Sequence, residues 1–117
     1  MTVGYERLEV WKKAMDLAVG MYGLIRSLPV EERFSLADQM RRCAVSIPSN
    51  IAEGAARASK KEFVQYLYIA LGSASELDTQ IQIAQRVGYI QDVAALRQDI
   101  LAVKKMLNAL ITTLKRQ

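Results

Sequence analysis

Phe63, Leu67, Ala70, Ala74, Leu77, Ile81 and Ala84 stand at alternating steps of four and three residues. Held over three heptads, that spacing specifies an α-helix with one apolar seam. It excludes a strand, whose faces alternate at every second residue. The helix carries its own punctuation. Ser59-Lys60-Lys61-Glu62 reads as a capping box, in which the Ser and Glu side chains each satisfy a free backbone amide. Gly88 reads as the terminator. At the usual rise per residue the helix is roughly 40 Å long. A rod of that length in a chain of 117 residues must be covered by other rods.

The rest of the sequence supplies three more. A first helix is predicted over residues 6–27 and is stopped at Leu28-Pro29. It carries two apolar series. One runs through Leu8, Trp11, Met15, Ala18, Tyr22 and Ile25, the other through Val10, Ala14, Leu17, Met21, Leu24 and Leu28. Together they cover more than half the circumference, wider than packing on one side requires. A second helix over 35–54 has Leu36, Met40, Cys43, Ile47 and Ile51 as its core face. Pro48 within it leaves one carbonyl without its intrahelical partner and bends the helix, and Gly54 is the expected stop. The third helix spans 60–87. A fourth over 92–115 has the seam Val93, Leu96, Ile100, Val103, Leu107, Leu110 and Leu114. No segment alternates as a half-buried strand does, and nothing repeats at a fixed period. The expected fold is all-α: residues 1–117 form one domain, an antiparallel up-down four-helix bundle with short loops.

Apolar residues make up 51% of the chain, more than one small bundle needs. In the run Phe63–Leu71 only Gln65 is polar, where a bundle helix should show a wet stripe. Self-association is therefore expected. Its contacts are assigned to Val10, Leu17, Met21 and Leu24 on the first helix, and to Val64, Tyr68 and Leu71 on the third.

The net charge of +4 is unevenly distributed. Residues 33–61 and 100–117 each carry +4, residues 1–32 carry −1 and residues 62–99 carry −3. Clustered Lys and Arg form the electrostatic footprint of phosphate-backbone binding. Arg41, Arg42, Arg57, Lys60, Lys61, Lys104 and Lys105 are the candidate nucleic-acid ligands. No RRM aromatic sequence, KH loop or zinc-finger spacing accompanies them.

Chemistry is sparse. With no His, neither a His-based triad nor a His metal ligand can be built, and no nucleophile with an adjacent base stands out. No enzyme activity, metal, cofactor or small-molecule substrate is expected. The single Cys43 lies on an apolar face and reads as a small core residue, not a reactive thiol. One Cys also rules out an internal disulfide. The N-terminus lacks the basic-then-apolar order of a signal peptide, and no charge-free run is long enough for a membrane span, so a cytoplasmic location is expected. On the second helix Gln39, Arg42, Ser46, Ser49, Glu53 and Arg57 follow three-and-four spacing opposite the core face. Ser46, Pro48, Ser49, Asn50, Glu53 and Gly54 read as a motif that shapes a bend or makes a subunit contact.

The stretch Gln39–Gly54 (QMRRCAVSIPSNIAEG) resembles the signature of the four-helix bundle family of 23S rRNA-intervening sequence proteins. The similarity continues through Glu62-Phe63, Leu67–Ser73, Glu76–Gln80 and Gly88-Tyr89-Ile90, and reaches back to Leu8, Trp11 and Ala14. Cys43 stands where the family more often has Ala. The resemblance implies a cytosolic bacterial bundle assembled as a pentamer. The family is also similar to the accessory variability protein of diversity-generating retroelements, a basic pentamer associated with nucleic acid. Two functions follow as expectations. One is a non-enzymatic oligomer that binds RNA or DNA, structured RNA or a nucleoprotein above all. The other is a scaffold whose basic rim takes an acidic protein.

Overall fold

A computed structural model describes residues 4–117. Four helices follow one another: α1 (Glu9–Arg26), α2 (Leu36–Ala55), α3 (Lys60–Arg86) and α4 (Ala94–Arg116). Short 3₁₀ turns precede α1 (Tyr5–Arg7) and α2 (Val30–Glu32), and there is no strand among the described residues. The molecule measures 47 × 23 × 19 Å. Among the described residues no helix is long and apolar enough to cross a membrane.

The helix ends follow local chemistry. Residues 6–8 do not join α1, because extended backbone at Leu8 separates it from the preceding turn. The α2 helix passes through Pro48 and Gly54 and ends at Ala55, so Gly54 is not its stop. What Gly54 does is admit α3: a Cβ there would lie 2.7 Å from Tyr66 Cβ and 3.0 Å from Phe63 Cδ1. Ser59 caps α3, accepting the Glu62 amide at 3.1 Å. Glu62 returns its carboxylate to the Ser59 hydroxyl at 3.3 Å, not to the Ser59 amide that a full capping box requires. At the far end Gly88 adopts φ +88°, the left-handed region a glycine enters at little cost. Tyr89 N–H reaches Ala84 O at 2.9 Å and Gly88 N–H reaches Gln85 O at 3.0 Å, the paired bonds of a Schellman motif. Asp92 Oδ1 accepts the Ala94 amide at 3.0 Å and so starts α4.

The heptad seam of α3 is the centre of the core: Leu67, Ala70, Ala74, Leu77, Ile81 and Ala84 are fully buried. Met40, Cys43, Ile47 and Ile51 meet it from α2, and Ile100, Val103 and Leu107 from α4. The α2–α3 contact is the most extensive, and the α1–α4 contact the slightest of the helix pairs that touch. Of the two apolar series on α1, the one through Val10, Ala14, Leu17, Met21 and Leu28 faces inward, and the other adds only Ala18 and Ile25 to the core. Val10, Leu17 and Met21, expected at a subunit contact, are therefore core residues of the chain itself. Spacing alone could not choose between two equally apolar stripes.

Candidate functional site

The polar residues of α2 separate into three environments. Ser46 and Asn50 turn toward α3: the Ser46 and Ser73 hydroxyls are 2.9 Å apart, and Asn50 Nδ2 donates to Ser46 O and Ser46 Oγ, both at 2.8 Å. Asn50 thus ties itself to Ser46 and leaves alone the Ala44 carbonyl, which Pro48 has no amide to satisfy. Pro48 is buried, and with Ser49 it lines a shallow groove against α1. Glu53 turns toward the α2–α3 connection. There it accepts from Arg57 at 2.6 Å.

The seven basic candidates do not form one surface. Arg41 and Arg42 share the Asp38 carboxylate at 3.3 and 3.0 Å. Arg57 is the most constrained. Besides Glu53 it donates to Tyr66 Oη at 2.7 Å, lies 5.0 Å from that ring's centroid and stands 3.9 Å from Glu62. The Glu53 hydrogen bond first, and the Tyr66 and Glu62 charges after it, raise its already high pKa. Arg57 is a clamp between α2 and α3, and two carboxylates offset its charge. Lys104 is half-buried beside Asp78, and Lys105 is exposed on α4. Asp78 is held below the ordinary carboxylate range, first by its hydrogen bond from Arg97 at 2.8 Å.

Lys60 and Lys61 differ from the arginines, being exposed and in no ion pair among the described residues. They stand on the first turn of α3, where the last turn of α4 lies alongside. With Val64, Gln65, Tyr68, Leu114 and Lys115 they line an open groove of about 390 Å³. Lys61, Val64, Gln65 and Tyr68 share one face of α3 because they are three, four and seven residues apart. Lys115 was not among the expected ligands. Its pairing with Tyr68, 47 positions away, had no local signal in the sequence.

A second surface is apolar. Met15, Val19 and Tyr22 of α1 and Val45 of α2 are exposed, with Val19 at 66%. They line a groove of about 350 Å³ with Tyr5, Trp11 and Pro48. Trp11, Met15 and Tyr22 belong to the other apolar series of α1, which turns only Ala18 and Ile25 into the core, and Val19 lies beside them outside both series. Among the residues assigned to a subunit contact, Leu24, Val64 and Leu71 are half-buried against the core, and Tyr68 is 46% exposed. Cys43 is buried. Desolvation first, and Glu76 nearby, push its thiol up to about 11, and Gln80 Nε2 lies 3.5 Å from its sulfur. Gln80 Oε1 is buried with no partner among the described residues.

Comparison with known proteins places this geometry. The model of the family described as 23S rRNA-intervening sequence protein matches residues 6–109. The chain is similar to a solved structure from Bacteroides thetaiotaomicron, a protein with unknown function from the S23 ribosomal protein family. The TM-score is 0.82 at 28% identity, over 88% of this chain and 95% of that one. No curated protein matches.

Proposed function

Because the chain belongs to the 23S rRNA-intervening sequence protein family, we propose that it is a non-enzymatic nucleic-acid-binding protein. In this reading it is an antiparallel up-down bundle, assembled as a homo-oligomer, a pentamer, and works in the cytoplasm. The observation that carries the binding function is the group Lys60, Lys61 and Lys115. These are three ammoniums around one groove, each in no ion pair among the described residues. Lys105 adds a charge on α4 with no ion pair among the described residues, while Arg41, Arg42 and Arg57 are largely offset by Asp38, Glu53 and Glu62. Repetition around an oligomer multiplies so modest a cluster through avidity. The family's own name and the neighbour's ribosomal designation agree with an RNA ligand.

The exposed apolar strip Met15, Val19, Tyr22 and Val45 supports self-association better than the inward series does. Light scattering of the wild type and of Val19→Asp tests it: an oligomer that the substitution dissociates supports the reading, and a wild-type monomer removes it.

Fluorescence anisotropy with a structured RNA tests the binding. Affinity should fall steeply with salt, log K losing about 0.9 per phosphate contact for each decade. Lys60→Glu with Lys61→Glu should weaken it strongly. Binding that is insensitive to both salt and this double substitution would reject the basic surface as the site.

A further inference from the structure

The groove between the start of α3 and the end of α4 has a composition that bare phosphate binding does not require. Its rim carries Lys60, Lys61 and Lys115, but its walls are Val64, Leu114 and the ring of Tyr68. Tyr68 is 46% exposed, so its ring is open to a ligand in this groove. The position of Lys115 is informative. Its ammonium is 3.2 Å from the Tyr68 hydroxyl and 5.6 Å from the ring centroid. Those two distances set it off the hydroxyl end of the ring, not above a face. The lysine therefore holds the hydroxyl end of the ring and does not itself cover a face.

An anchored aromatic ring flanked by ammoniums is the pairing that unpaired nucleotides use: a base stacks on the ring while the phosphates on either side meet the cations. A duplex keeps its bases stacked inside and presents only phosphates and groove edges. An acidic peptide offers carboxylates but no flat π-face to match Tyr68. We infer that this groove binds a single-stranded nucleic-acid segment, such as a loop of a structured RNA, with Tyr68 as the stacking platform and Lys60, Lys61 and Lys115 as phosphate contacts. This rests on the nucleic-acid reading above and specifies which part of the nucleic acid is held.

The test uses the full chain with fluorescein-labelled oligo-uridine and a duplex RNA of equal length, titrated by anisotropy at two salt concentrations. Oligo-uridine should bind more tightly than the duplex. Tyr68→Ala should weaken oligo-uridine about tenfold, with little change for the duplex. Tyr68→Phe, which keeps the ring but loses the Lys115 anchor, should bind oligo-uridine more tightly than Tyr68→Ala and less tightly than wild type. Lys60→Gln with Lys61→Gln should reduce the salt slope for both ligands, whereas Tyr68→Ala should leave it unchanged. Circular dichroism melting confirms that each variant is folded. If the wild type binds neither RNA, the functional reading itself fails. Should it bind both with Tyr68→Ala weakening neither or both equally, the stacking platform is wrong and the reading stands. Displacement of oligo-uridine by poly-glutamate at equal charge concentration would overturn the nucleotide assignment in favour of an acidic protein.

Discussion

Gly54 and Tyr66 mark a close approach between α2 and α3: a Cβ on residue 54 would stand 2.7 Å from the Tyr66 Cβ, a distance real side chains do not reach. The obstructing atom is next to the backbone and cannot swing aside. Gly54→Ala therefore forces the helices apart, and the helix-propensity gain of about 1 kcal/mol does not compensate. Overpacking costs about 1–3 kcal/mol, so after the propensity gain a net loss of up to about 2 kcal/mol is expected in urea unfolding. Gly23→Ala is the control. It is also helical, with nothing within 4 Å of its Cβ position, and should stabilise by about 0.5–1 kcal/mol.

Tyr89, beyond the Gly88 turn, donates its hydroxyl to Glu32 at 2.9 Å and so joins the α3–α4 connection to the turn before α2. Glu32 also accepts from Ser35 at 2.7 Å. Those bonds, Ser35 first and Tyr89 second, lower the Glu32 pKa, and the Glu32 bond raises that of Tyr89. A depressed carboxylate stabilises above its unfolded pKa and loses that contribution as pH falls through the folded value. A raised phenol stabilises below its unfolded pKa and loses that contribution as pH rises through the folded value. Stability from this pair should thus decline at both the acidic and the alkaline end. Thermal melting across pH should show both declines reduced in Tyr89→Phe. A pH profile identical to wild type would dismiss the pair as a contributor.

Arg57 is expected to matter for stability more than for binding. Arg57→Gln removes the ion pair with Glu53 and the cation from Tyr66, and takes away the cation that Glu53 and Glu62 share. The melting temperature should drop, and high salt should narrow the difference from wild type. RNA affinity should change less than in Lys60→Gln. An equal or larger loss of affinity with an unchanged melting temperature would make Arg57 a ligand after all.

The Cys43 thiol, with its pKa pushed up to about 11 by burial, should be inert at neutral pH. Ellman's reagent should react with it only on the unfolding timescale, and immediately in guanidinium. Fast labelling of the folded protein would mean that α2 separates from α3 far more readily than this packing allows.

The fold was largely legible because one period runs through most of the chain. The seam from Leu67 to Ala84 and the α2 face from Met40 to Ile51 are buried where the spacing put them. Helix ends were legible where a cap carries them, as at Ser59 and Gly88. They were misread at Gly54, since a glycine that ends a helix and a glycine that admits a neighbour look alike in sequence. The basic residues show the main difficulty. Counting identified Arg41, Arg42 and Arg57 alongside Lys60 and Lys61, but whether a charge is free depends on which carboxylate lies beside it. For Arg57 the partner Glu53 is the i,i+4 pair that the spacing puts together, and for Arg41 and Arg42 the partner Asp38 is one helical turn away and was there to be found. For Lys115 and Tyr68 it lies on another helix.

The hydroxyl pair of Ser46 and Ser73, braced by Asn50, acts as an index pin between two rods. Apolar seams tolerate sliding: a heptad pattern displaced by one helical turn, about 5.4 Å, still meets apolar side chains. Half-buried hydroxyls and a carboxamide tolerate it less, because displacement breaks their mutual hydrogen bonds and sets them against apolar neighbours. Three small polar side chains thus reinforce one alignment of α2 on α3. That alignment is the one in which Gly54 arrives opposite Tyr66.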